Sequence, residues 1–285
     1  MSENVIAALD VGGTKIAGGL WDGERFAVRI ERPTPGRPGA GDPGLTTVAA
    51  VARELARLAR ERGERITAAG AGFCEYVDDG RLTSTEVLDW SEQPLDLLTE
   101  ALDAPVRIES DVRCALLAEA RLGALAKVGT GFYVSWGTGI SGALLLNSEI
   151  WPGTRGRAIA LGELPAPDGA RLEPFASGAG MARRLGELIG RDFAGGREVM
   201  ALAVEQPAAR QIAESAGEAL AEALATVVHL VDPGTVVLGG GLGVDPAHLA
   251  QKALRRKWSQ LSVPAELRCA GLGADAALLG AALIA

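Results

Sequence analysis

The sequence predicts an α/β protein built of two similar lobes, with a ligand cleft between them. Three observations predict it. A strand–glycine turn–strand pattern occurs twice, at 5–21 and at 131–146. Each copy is followed by segments of helical and strand periodicity in alternation. The chain has 285 residues, of which 48% are hydrophobic, enough to bury two cores of ordinary size.

Val5–Asp10 and Ile16–Trp21 read as strands, with a third around Phe26–Glu31. The Pro/Gly stretch Pro33–Gly44 reads as a loop. Leu45–Arg62 places apolar residues at helical spacing with charges opposite, an amphipathic helix. Ile66–Phe73 is an apolar run, hence a buried strand. Leu95–Leu102 reads as a short helix, Val106–Glu109 as a strand ending at Ser110 and Asp111, and Arg113–Gly123 as a helix. The pattern then restarts with Gly131–Trp136, a Gly-Thr-Gly turn and the strand Ser141–Leu146. An irregular stretch runs to Arg171. Helices are expected at Gly178–Ile189 and Ala208–Leu230, a strand at Val236–Leu238, and a last helix at Ala274–Ile284.

Composition narrows the function classes. Net charge is −8 and the isoelectric point about 5.0, which argues against a nucleic-acid surface. The densest basic cluster, Lys252–Lys257, reads as a solvated helix face. No stretch reaches about 18 uncharged apolar residues and no basic leader precedes an apolar run, so neither a membrane span nor a signal peptide is expected, and the cytoplasm is the expected location. Cys74, Cys114 and Cys269 are far apart and odd in number, which fits reduced thiols.

Three glycine clusters each follow a buried strand. In the first, Asp10 ends the strand and can hold a hydrated Mg²⁺. Gly12 and Gly13 let backbone N–H groups approach an anion, Thr14 adds a hydroxyl donor and Lys15 a positive charge. The same Gly-Gly is also an ordinary hairpin turn. Gly137, Thr138 and Gly139 repeat the logic after Trp136. Gly239, Gly240 and Gly241 leave room for a flat adenine ring, or form a tight strand-to-helix turn. Asp111 follows a strand and precedes a helix. A carboxylate there can take a proton from a hydroxyl attacking a γ-phosphate, or serve as a helix cap. His229 reads as a packed helix-end residue. The tryptophans are too scattered to form a stacking platform.

These motifs together resemble the ROK family (repressors, open reading frames and sugar kinases) of the actin-like ATPase superfamily. Leu9-Asp-Val-Gly-Gly-Thr-Lys-Ile16 resembles the first phosphate motif and Trp136-Gly-Thr-Gly-Ile-Ser-Gly142 the second. Glu109-Ser-Asp-Val-Arg-Cys-Ala115 resembles the segment that holds the catalytic base, here Asp111. Val231-Asp-Pro-Gly-Thr-Val-Val-Leu-Gly-Gly-Gly241 resembles the adenosine motif, and Leu172-Glu-Pro-Phe-Ala-Ser-Gly178 a segment whose Glu, here Glu173, touches the sugar. The resemblance implies actin-like (ribonuclease H-like) lobes, expected at 1–112 and 113–272, with the C-terminal helix at about 273–285 packing back onto the first. It implies ATP and Mg²⁺ as cofactors, a small sugar or sugar derivative as partner, and a homodimer.

The departures fall on the acceptor side. Aligned on its Gly, the family's Glu-x-Gly-His reads Ala160-Leu161-Gly162-Glu163 here. The segment between Glu163 and Leu172 holds no Cys or His, so the family's zinc site is not expected. Cys74-Glu75 stands for Pro-Gly, while Ser110 and Arg113 each replace an Asn. The expected substrate-side residues are therefore Ser110, Asp111, Glu173, Glu75 and Glu163, with Arg113 added if it faces the cleft. The reading is an ATP-dependent phosphotransferase on a sugar-like hydroxyl. The alternative is a non-catalytic ROK-like nucleotide or metabolite sensor. With the phosphate motif starting at Leu9, no N-terminal DNA-binding domain is expected.

Overall fold

The computed structural model of the chain describes residues 3–35 and 45–285. The loop expected at 33–44 lies outside the described residues from 36 onward. The chain divides into two compact units. The first comprises Met1–Ala118, Pro152–Arg157 and Asp275–Ala285; the second comprises Glu119–Trp151 and Ala158–Ala274.

The first unit opens with an antiparallel meander, β1 (Asn4–Val11), β2 (Lys15–Trp21) and β3 (Phe26–Pro33). Helix α1 (Thr46–Glu61) follows, then β4 (Arg65–Phe73), the short hairpin β5 (Val77–Asp78) and β6 (Arg81–Leu82), helix α2 (Pro94–Leu102) and β7 (Val106–Ser110). The sheet order is β3-β2-β1-β4-β7, with β4 parallel to both β1 and β7. Helix α1 buries Val48, Val51, Ala52, Leu55 and Ala59, one stripe at helical spacing. β1 is central and apolar on both faces, so Ala7, Leu9 and Val11 have no exposed surface. Helix α3 (Asp111–Leu122) leads into the second unit.

That unit repeats the strand pattern. β8 (Gly131–Trp136), β9 (Ile140–Leu146) and β10 (Glu149–Trp151) form a second meander. Helices α4 (Leu172–Ala176), α5 (Gly178–Ile189), α6 (Gly196–Leu202) and α7 (Pro207–Val231) precede β11 (Thr235–Gly239), helices α8 (Gly240–Gly243) and α9 (Leu249–Leu261), and β12 (Glu266–Cys269). The order is β10-β9-β8-β11-β12, with β11 parallel to β8 and β12. Helix α7 presents an alanine-rich face to α9. A Cβ on Gly217 would stand 1.9 Å from the Ala250 carbonyl oxygen, so glycine there sets the helix spacing. His229 lies near the end of α7 with Nδ1 2.6 Å from the Ala225 carbonyl oxygen, but it is exposed and is not the packed residue the sequence suggests.

The sequence reading missed β5, β6, β10 and β12, each of four residues or fewer, too short to show a period. It also missed α4, α6 and α8, and it read only part of α9, as a charged face.

The last helix, α10 (Ala276–Ile284), belongs to the first unit. It approaches its neighbours through glycine on two sides. A Cβ on Gly280 would stand 1.8 Å from the Cys114 carbonyl oxygen, and one on Gly70 of β4 would stand 1.9 Å from the Ala281 carbonyl oxygen. Since the obstacles are backbone, a methyl group cannot be absorbed by a side-chain rotation. Gly280→Ala should destabilise the fold by about 1–3 kcal/mol, the usual cost of overpacking. Urea denaturation will show this as a lower midpoint at unchanged slope.

Candidate active site

Three parallel strands of the first unit bring their carboxyl ends into one row. Val11, Phe73 and Ser110 are register partners across β1, β4 and β7. Asp10 stands one residue before that row, and Asp111 one residue after it, at the first position of α3. Gly72 between them makes room. A Cβ there would lie 3.2 Å from the Asp111 Cα and 3.3 Å from the Cys114 Sγ. Ligands of open α/β sheets bind at such carboxyl ends.

Burial governs the charge of both carboxyl groups. It pushes Asp111 up to about 7, helped by the negative charges of Asp10 and Glu75 and opposed by the Val112 N–H, which donates to Oδ1 at 2.6 Å. Burial also pushes Asp10 up to about 6, with Lys15 opposing and Glu31 adding. Asp111 can therefore exchange a proton near neutral pH, as a general base must. An incoming cation would lower both values, because it favours the charged forms. Burial raises the Cys74 thiol well above its ordinary value, with the Asp111 and Glu75 charges adding. Cys114 is raised in the same way by burial, Glu109 and Asp111. Both stay protonated and poorly nucleophilic.

The two glycine loops are oriented by what their carbonyls bind. In the first, the Gly12 N–H donates to the Lys15 carbonyl at 3.0 Å, closing a hairpin turn. Thr34 Oγ1 donates to the Gly12 carbonyl at 2.6 Å, and the Thr34 N–H donates to the Thr14 carbonyl at 3.0 Å. Peptides here are trans, and in a trans plane a carbonyl and the following N–H point opposite ways. The Gly13 N–H therefore points away from Thr34. Lys15 spends its charge at the surface, with Nζ 2.6 Å from Glu31 Oε1.

In the second loop, the Gly178 N–H donates to the Gly137 carbonyl at 2.8 Å and the Ala179 N–H to the Thr138 carbonyl at 3.1 Å. Two N–H groups in the first turn of α5 are satisfied this way, and Ser177 Oγ caps a third, that of Gly180, at 3.0 Å. The same plane argument turns the Thr138 and Gly139 N–H groups away from α5, as a pair of donors. The third cluster lies alongside. A Cβ on Gly240, whose φ is +74°, would stand 2.5 Å from the Trp136 carbonyl oxygen, whereas Gly241 has open space among the described residues. Gly239 comes equally close to Tyr133, whose Oη would stand 2.0 Å from a Cβ there. Buried Trp136 anchors this layer by donating Nε1–H to the Ala176 carbonyl at 2.9 Å.

The expected acceptor-side residues do not gather into one set. Ser110 is fully buried beside Asp111, its Oγ without a partner among the described residues. Glu173 turns Oε2 toward the second loop, accepting the Ile140 N–H at 2.7 Å and lying 2.7 Å from where a Cβ on Gly139 would stand. Glu163 points outward and pairs with Arg171 at 3.0 Å. Glu75 is buried and turned into the first unit, its oxygens occupied by residues 84–88. Arg113 does not face a ligand space either. It is 1% exposed, donates Nε–H to Glu109 Oε1 at 2.7 Å and reaches the carbonyls of Val77, Pro152 and Gly156. Its five donors and fixed charge require such partners once buried. Arg113 follows Glu109 by four residues, across the junction of β7 and α3, and that short spacing of opposite charges was the available signal for a strut.

Between Glu163 and Leu172 the chain closes on itself. Leu172 N–H donates to the Leu164 carbonyl at 2.7 Å and Ala166 N–H to the Ala170 carbonyl at 2.8 Å, with Asp168 Oδ1 accepting from the Ala170 N–H. Among the described residues no three His, Cys, Asp or Glu side chains are grouped to hold a metal ion, and no helix is long and apolar enough to cross a membrane.

A family model described as "ROK family" matches residues 6–285. The glucokinase of Streptomyces coelicolor is 29% identical over 313 residues, covering 97% of this chain and 96% of the relative. The N-acetylmannosamine kinase of Yersinia pseudotuberculosis is 27% identical over 291 residues, covering 97% and 96%. The crystal structure of a ROK hexokinase from Thermus thermophilus superposes with a TM-score of 0.80 at 33% identity, covering 99% of this chain and 97% of that one.

Two outcomes follow from this geometry. The folded protein holds the Asp111 proton up to about pH 7, whereas the unfolded chain loses it near the ordinary 3.8. Stability from this group is therefore full below about 3.8 and is lost as pH rises from there through about 7. In ligand-free protein, Asp111→Asn should gain on the wild type in melting temperature as pH rises from about 4 to about 7 and keep that gain above it, by scanning calorimetry. The 163–172 segment closes through backbone bonds, so EDTA should leave the melting temperature unchanged and metal analysis should find no stoichiometric zinc.

Proposed function

Because the chain belongs to the ROK family, we propose that it is an ATP-dependent phosphotransferase whose acceptor is a hydroxyl of a sugar or sugar-like polyol. The observation that carries the proposal is Asp111, a carboxyl group pushed up to about 7 at the carboxyl ends of parallel strands, with Asp10 beside the same row. The glucokinase and N-acetylmannosamine kinase relatives support the reaction class.

In this reading Asp111 takes the proton of the acceptor hydroxyl as its oxygen attacks the γ-phosphorus. The N–H groups of Gly13, Thr138 and Gly139 and the hydroxyls of Thr14 and Thr138 hold the phosphates. Gly239, Gly240 and Gly241 flank adenosine, Gly137 lets that layer approach, and Lys15 contributes only long-range charge. When bound, Mg²⁺ would supply charge neutralisation at the phosphates, and Asp10, which has no ion pair among the described residues, is the residue that would hold it through water. Glu173 and Ser110 line the acceptor side. The resemblance implies a homodimer, and the cytoplasm is its expected location. A second reading, a nucleotide or metabolite sensor, draws on Ala160 and outward-facing Glu163, where the family's sugar-contacting Glu and His are missing.

Titration calorimetry should give Mg·ATP binding at micromolar to millimolar Kd. A coupled assay across neutral sugars, N-acetylated sugars, amino sugars and sugar acids should find an acceptor. Glucose should score below about 10⁵ M⁻¹s⁻¹ in kcat/KM, since two hydrogen-bonding partners for it are absent. With the best acceptor, Asp111→Asn should keep nucleotide affinity and lower kcat by about 10²–10⁴-fold. The wild-type rate should rise with pH as Asp111 loses its proton, with a midpoint below about 7 because the bound cation favours the charged form. Nucleotide binding with no turnover on any acceptor would favour the sensor.

A further inference from the structure

Glu75 carries a carboxylate that is 3% exposed. Burying such a charge is costly unless its lone pairs are met. Four donors meet them, all from one short segment. The Ser84 hydroxyl and the Glu86 N–H, at 3.1 Å, reach Oε2; the N–H groups of Val87, at 2.7 Å, and Leu88, at 2.6 Å, reach Oε1. The segment is held elsewhere too: the Tyr76 N–H donates to Ser84 Oγ at 2.9 Å, and Trp90 Nε1–H to the Ser84 carbonyl at 2.7 Å. Leu88 is buried in the core of the first unit.

Val87 is different. It is an exposed apolar residue, 38% accessible, so core burial does not explain its place. Its Cγ1 lies 2.6 Å from where a Cβ on Gly13 would stand. The methyl group thus occupies the side-chain position that Gly13 lacks. Gly13 is the one residue of the first glycine loop whose N–H is aimed by the Thr34 bond to the Gly12 carbonyl. Glycine has more backbone freedom than any other residue, so a wall against it restricts how far that N–H can swing.

We infer that Glu75 is a positioning residue for the Gly12–Lys15 loop: it ties Ser84–Leu88 so that Val87 is seated on Gly13. It acts on nucleotide binding and not on acceptor choice, the role its place in the sequence suggests. This rests on the phosphotransferase reading for its consequence, though not for its geometry. Replacing the carboxylate leaves buried N–H groups short of an acceptor, which loosens the segment.

The test uses the full chain as wild type, Glu75→Gln and Val87→Ala. Hydrogen exchange is followed by mass spectrometry over 12–15 and 84–88, with Mg·ATP Kd by calorimetry and acceptor KM by steady-state kinetics. Glu75→Gln should speed exchange in both segments by about tenfold or more and raise the nucleotide Kd by about fivefold or more, with acceptor KM unchanged. Val87→Ala should speed exchange at 12–15 alone and weaken nucleotide binding, and it decides the matter if Glu75→Gln fails to fold. Unchanged exchange at 12–15 in Val87→Ala, or a shifted acceptor KM at constant Kd in Glu75→Gln, would overturn the inference. A wild type that binds no Mg·ATP would sink the phosphotransferase reading, while the exchange rates would still decide whether Glu75 holds the loop.

Discussion

Two carboxyl groups brought together in low dielectric cannot both be charged at little cost. The parallel register of β1, β4 and β7 imposes that proximity on Asp10 and Asp111, and the bare backbone of Gly72 allows it. Much else in the first unit answers to this constraint. The two carboxyl groups share a tendency to hold protons, the neighbouring thiols are kept neutral, and Lys15, whose charge acts on Asp10, pairs with Glu31. Ionising either one therefore costs the folded protein stability.

Orientation of backbone donors is the second determinant. In both glycine loops, carbonyls are consumed on one side, by Thr34 in the first and by the start of α5 in the second. Planarity of the peptide then directs N–H groups to the other side with no further contact required. The hairpin-turn and phosphate-loop readings of Gly12–Gly13 are accordingly not rivals, since the turn bond from Gly12 to Lys15 and the N–H of Gly13, turned away from Thr34, belong to the same backbone.

The sequence made the sheets legible because their central strands are long and apolar, and it made Asp10, Asp111 and the glycine loops legible because their residue types are chemically narrow. The acceptor side was not legible, and charge is the reason. Glu75, Arg113 and Glu163 read alike as polar residues entering a ligand space. Only packing separates them: Glu75 meets four donors, Arg113 spans Glu109 and three carbonyls, and Glu163 pairs with Arg171 at the surface. Apart from Glu109, four residues from Arg113, those partners lie from 8 residues away, for Arg171 and Glu163, to 43, for Gly156 and Arg113, and local periodicity carries no trace of them. The short strands were missed for a related reason, because two to four residues cannot display a period.

The strut made by Arg113 has a consequence for how the chain can be divided. Pro152–Arg157 lies in sequence within the second unit yet packs in the first, where a Cβ on Gly156 would stand 2.0 Å from the Val77 carbonyl oxygen. The first unit is thus stitched from three separate stretches of chain, and none of them is complete alone. A fragment ending at Ala118 would strand the Arg113 guanidinium without two of its carbonyls and strip α10 from β4. The chain cannot be cut after Ala118 into two independent folding units. A viable circular permutant must open at an exposed turn, such as that between β9 and β10, and keep all three stretches on one chain.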